Sequence, residues 1–124
     1  MTIHLRLGAL CAGLLLANAL AAQPFPQRSA QGLLISASGQ TLYTYDPDGS
    51  TGKSTCSGPC AAVWPPYAAD AGGAAANADF SVLARADGTP QWVYRGHPLY
   101  LFAGDAKAGD KDGDGVNGQW HVVH

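Results

Sequence analysis

Gly39-Gln40-Thr41-Leu42-Tyr43-Thr44-Tyr45-Asp46-Pro47-Asp48 returns 57 residues later as Gly96-His97-Pro98-Leu99-Tyr100-Leu101-Phe102-Ala103-Gly104-Asp105. Both stretches read Gly-x-x-Leu-Tyr-x-aromatic-x-x-Asp. The same offset joins Gly52 to Gly109, and Trp64 pairs with Trp120 at an offset of 56. Two copies are too few for a solenoid, whose units bury a core only by stacking in number. They predict one domain made of two related halves, about 32–67 and 89–124.

Each half opens on a hairpin signal. Residues 33–36 run through Ser38-Gly39 into 41–45, and residues 91–94 run through Arg95-Gly96 into 99–102. Aromatic and β-branched residues on either side of a Gly-containing turn favour paired strands. Further strands are expected over 80–84 and 119–123, with a turn at Asp87-Gly88. One helical turn is expected around Ala61-Ala62-Val63, stopped by Pro65-Pro66. The Ala-, Gly- and Asn-rich residues 68–79 read as a linker, and 23–31 as a loose lead-in. The expected fold is all-β: a single small domain over 32–124, a meander of about six short strands.

The segment before this domain has a different chemistry. Arg6 precedes a Leu/Ala-rich apolar run over 7–20, and Ala19-Leu20-Ala21 places small residues where a signal peptidase reads. This is the order of a cleavable secretory signal, here 1–22. Cys11 lies inside the apolar run rather than at its end, so it is read as a discarded hydrophobe and not as a lipid-attachment site. The mature chain then holds six Lys or Arg against nine Asp and no Glu, a net charge of −3. No basic patch is present to neutralise phosphates, which argues against nucleic acid as a partner. The only membrane contact expected is through the transient signal peptide.

Cys56 and Cys60 are the two cysteines of the mature chain. In an oxidising compartment an even pair is read first as a disulfide, here around a Ser-Gly-Pro turn. Copper or zinc held by the two thiols and a histidine such as His97 is the alternative. Asp110, Asp112 and Asp114 followed by Gly115 have the spacing that opens a Ca²⁺ loop, but the closing position is His121 where a full EF-hand requires a bidentate Glu, which leaves a weaker Ca²⁺-binding turn as the alternative to a solvated Asp/Gly turn. Tyr43 and Tyr45 alternate onto one face, as do Tyr100 and Phe102. Core packing is the favoured reading of these rings, against an aromatic groove for a flat ligand. Asp48 and Asp105, at the ends of the repeated motifs, are placed to accept backbone N–H bonds in the following turns. Hydrolase signatures and phosphate-cradling loops are absent, and nothing points to an enzyme.

Four runs in order carry a resemblance: 42–48, Cys56 to Pro66, Arg85 to Tyr100, and Gly113 to Trp120. They resemble the predicted secreted lipoprotein repeat family with a Tyr-x4-Asp motif, over about residues 32–123. The resemblance implies an exported, β-rich, repeat-built domain and brings no activity with it. Many members of that family are lipid-anchored, whereas the mature chain offers no cysteine suited to lipidation. The expected product is therefore a monomer free in the periplasm or secreted. It is read as a non-catalytic binding or interaction module for an unknown periplasmic protein or small ligand, its contact surface the loops that follow the two Tyr-to-Asp strands. Redox or metal handling through Cys56 and Cys60 is the alternative function.

Overall fold

The computed structural model describes residues 24–70 and 77–124. The signal peptide expected over 1–22 lies outside the described residues, as does the middle of the expected linker. The architecture is all-β. Among the described residues, seven short strands, β1 (Gln27–Arg28), β2 (Leu34–Ile35), β3 (Tyr43–Tyr45), β4 (Phe80–Ala84), β5 (Pro90–Tyr94), β6 (His97–Pro98) and β7 (Trp120–Val122), accompany one short α-helix, α1 (Pro59–Val63). The strands form antiparallel sheets in the orders β1-β2, β3-β7 and β4-β5-β6.

The second expected hairpin is present as β5 and β6, with Val93 opposite Pro98 and Tyr94 opposite His97. Its turn residues Arg95 and Gly96 both have positive φ, 49° and 85°, which matches the right-handed twist of the strands they join. Gly96 is needed twice over, because a Cβ there would also overlap the Ser50 carbonyl. The first hairpin closes through Ser36 N–H to the Gln40 carbonyl (2.8 Å) and Leu42 N–H to that of Leu34 (3.1 Å). Beyond it, β3 leaves its own half and pairs with β7, with Tyr45 opposite Trp120.

The second half does the same in reverse. Leu101 N–H donates to Pro65 O (2.7 Å) and Ala103 N–H to Val63 O (2.8 Å), just as Asp46 N–H donates to Gln119 O (2.8 Å). Yet residues 99–102 do not form the strand expected of them. Their neighbours Pro65 and Pro66 have no N–H to return, so the ladder stops at a single Pro66–Tyr100 bridge. Two other expectations need correcting. The lead-in is tied down, because β1 pairs with β2 and Phe25 meets Phe80 and Trp92 edge-on at 4.8 and 5.0 Å. The start of the linker is also part of the fold, since Ala69 is buried and its N–H donates to Pro90 O (3.0 Å).

These exchanges are reciprocal, as the contacts across a twofold axis are. Tyr43 and Tyr100 exchange both backbone hydrogen bonds, at 2.9 and 3.0 Å. Gly52 N–H donates to Gly96 O (2.9 Å), and its counterpart Gly109 N–H to Gly39 O (3.2 Å). The two repeated tryptophans stack face to face, centroids 3.8 Å apart and planes 1° from parallel. Tyr45 covers Trp120 at 4.1 Å and Phe102 covers Trp64 at 4.3 Å, giving a column of four rings drawn alternately from the two halves. Around this centre lies one hydrophobic cluster; a second gathers Leu34, Leu42, Tyr67, Trp92, Leu99 and others under the β4-β5-β6 sheet.

Candidate functional site

The repeated Tyr and Asp do not bond within their own motif. Tyr43 donates its hydroxyl to Asp105 Oδ2 (2.7 Å), and Tyr100 donates to Asp48 Oδ2 (2.5 Å). Each carboxylate uses its other oxygen on the loop that follows it. Thr55 N–H donates to Asp48 Oδ1 (2.7 Å) and the equivalent Asp112 N–H to Asp105 Oδ1 (2.9 Å). Burial first, and then the bond to a carboxylate, push both tyrosine hydroxyls well above their ordinary pKa of 10. Tyr43 and Tyr100 are wholly buried, and Trp64 and Trp120 nearly so. The motif residues are thus engaged with one another, and every buried side-chain N or O among the described residues has a partner.

Among the metal candidates, the side chains of Asp110, Asp114 and His121 each have a hydrogen-bond partner elsewhere. Asp110 Oδ2 accepts the amides of Ala106 and Lys107, at 2.9 and 3.0 Å. Asp114 Oδ1 accepts that of Val122 (3.0 Å), and Asp112 donates its amide to Asp105. His121 Nε2 lies 3.0 Å from Asp46 Oδ2 on the surface, and His97 sits in β6. Among the described residues no group of three His, Cys, Asp or Glu is assembled for a metal. Cys56 and Cys60 form a disulfide, with Cys56 fully buried in the cluster that holds the Trp pair.

The two halves differ most at that bridge. Gly113 is the counterpart of Cys56, and a Cβ there would come within 2.7 Å of the Trp64 ring. The first half thus carries a side chain, a bridge and helix α1, where the second carries a bare glycine and a tight 3₁₀ turn over Val116–Gly118. Each half packs its post-Asp loop beside the hairpin turn of the other, and a cleft lies beside each of these loops. Ser29, Leu33, Gly109 and Lys111 border one of about 340 Å³. Beside the other post-Asp loop, Gly52 and Ser54, with Arg85 and Thr89 from the β4–β5 turn, border one of about 650 Å³, which extends over α1.

Arg85 sits at the head of the larger cleft. Its Nη1 donates to Ser54 Oγ (3.0 Å) and to Gln91 Oε1 (2.8 Å), and its Nη2 to the Cys56 carbonyl (2.7 Å). Gln91 is fully buried and donates its own Nε2 to Leu99 O (2.8 Å). The guanidinium therefore ties the β4–β5 turn to the disulfide loop. Sequence reading passed over Arg85, Gln91 and Lys53. One signal was available: Gln91 is polar at a position where the strand pattern calls for an inward apolar residue.

A family model described as a secreted repeat of unknown function matches the chain twice, over residues 28–68 and 81–124. No curated protein and no solved structure matches it. Among the described residues no helix is long and apolar enough to cross a membrane.

Proposed function

Because the chain belongs to the family of secreted repeats of unknown function, we propose that it is a non-catalytic binding module of the periplasm or exterior, whose binding site is the cleft between the Cys56–Cys60 loop and the β4–β5 turn. One observation carries this reading. The residues that repeat, Tyr, Asp and Trp, are consumed in holding the halves together, while the loops beside them diverge. Where they diverge most, a cleft of about 340 Å³ beside one loop stands against one of about 650 Å³ beside the other. A rigid scaffold that presents variable loops is the usual arrangement of a binding protein, and the larger volume lies in the range of small-molecule sites.

The test is a fragment screen by NMR on the mature protein, repeated on Ala62→Trp. Ala62 is exposed and borders the cleft, so the indole fills the space without disturbing the core. Hits should collect on the amides of Ser57, Ala61 and Thr89 and vanish in the variant, with the melting temperature unchanged. Hits scattered over the surface, or indifferent to the substitution, would defeat the reading.

A further inference from the structure

We infer that the larger cleft takes a small ligand bearing a carboxylate, received by Arg85 and Lys53; this rests on the cleft being a binding site. The Arg85 guanidinium has five N–H hydrogens to place. Nη1 spends both hydrogens, on Ser54 and Gln91, and Nη2 spends one on the Cys56 carbonyl. Ser54 Oγ and that carbonyl are themselves only 3.4 Å apart, so together they occupy the end of the guanidinium. The Nε–H and the second Nη2–H are left without an acceptor among the described residues. They are the two parallel donors of one guanidinium edge, the pair that a carboxylate accepts in bidentate fashion.

Charge points the same way. All three acceptors on Arg85 are neutral, and neither Arg85 nor Lys53 forms an ion pair among the described residues, although Asp outnumbers the basic residues in this chain. Both cations border the cleft. The Arg85 charge acts at a distance on exposed Asp87, but the guanidinium is hydrogen-bonded to neutral groups alone, which leaves it already oriented for a partner from outside and with little rotamer freedom left to lose. Asp87 also borders the cleft, and both hydrogen bonds from Thr89 fall on its Oδ1. Its charge disfavours polyanions, and its Oδ2 offers an acceptor to a ligand N–H. Small apolar groups, from Ala61, Ala62, Pro65 and Pro66, line the remainder. The ligand chemistry that satisfies all of these is a monocarboxylate with an adjacent amide N–H and a small apolar substituent.

The experiment compares N-acetylalanine with its neutral amide, N-acetylalaninamide, by NMR titration of the mature protein. The acid should shift the Arg85 Nε–H resonance and the amides of Ser57 and Thr89 saturably, and bind at least tenfold more tightly than the amide. Lys53→Gln removes an exposed charge that holds no part of the fold, and should weaken the acid about threefold while leaving the amide alone. Equal binding of acid and amide in the cleft would overturn the carboxylate assignment and leave the binding-site reading intact. Absence of any shift in the cleft with the acid would also overturn it. The fragment screen, which does not depend on charge, then decides separately whether the cleft binds anything.

Discussion

If the two halves are held by exchanged Tyr–Asp bonds, energetic coupling must run between motifs and not within them. Asp48→Asn keeps Oδ1 for Thr55 but sets an NH2 against the Tyr100 hydroxyl in place of Oδ2. Asp48 is 3% exposed and Tyr100 is fully buried, so the lost bond is a charge-assisted one shielded from water. Its removal should cost about 1.5–3 kcal/mol. For a domain of this size each kcal/mol lowers the melting temperature by about 4–8 °C. The informative quantity is the double-mutant cycle with Tyr→Phe, read by urea unfolding followed through the fluorescence of the core tryptophans. Tyr100 and Asp48 should couple by about 1–2 kcal/mol, and Tyr43 and Asp105 somewhat less because Asp105 is only half-buried. Tyr43 and Asp48, neighbours within one motif, should couple by less than about 0.5 kcal/mol. A larger coupling within the motif than across the halves would refute the exchange.

Other consequences follow from the same contacts. Tyr43 and Tyr100 hold their protons more tightly folded than unfolded, where they titrate near 10. Stability should hold below that pH and fall as pH rises through it, by up to about 1.4 kcal/mol per pH unit for each tyrosine. Urea midpoints between pH 8 and 11 check this, and a flat profile would contradict it. Replacing both Cys56 and Cys60 with Ser opens a short loop and should cost about 2 kcal/mol with the near-ultraviolet signal of the stacked tryptophans retained; loss of that signal would show that the bridge holds the whole core. Gly96→Ala meets a positive φ and the Ser50 carbonyl, whereas Gly88→Ala meets a similar φ in open space. Thermal melts should place the second near 1 kcal/mol and the first at about 3 or more.

Much of this protein was legible in one dimension. The offset of 57 residues already implied two related halves, and alternating aromatics next to glycine turns implied short antiparallel strands. Cys56 and Cys60, in a chain whose first residues read as a secretory signal, implied a bridge. These features are local, or they repeat, and a sequence displays both directly. Which half each strand pairs with is neither. Tyr43 stands beside Asp48 in sequence and bonds Asp105, because in an internally twofold arrangement every contact at the axis joins one copy to the other, and no local pattern records the exchange. The failure of residues 99–102 to form a strand was equally invisible, since it is caused by two prolines some 35 residues away. In the sequence Arg85 is one of six basic residues of the mature chain and lies two positions before the Asp87-Gly88 turn. Only the packed chain brought it against Ser54, Gln91 and the disulfide loop, on the border of a cleft. The sequence by itself determined the elements and their duplication, because backbone preference and periodicity are properties of neighbours. The exchange of partners and the site it creates belong to the tertiary structure, because they depend on which distant groups a closed core forces into contact.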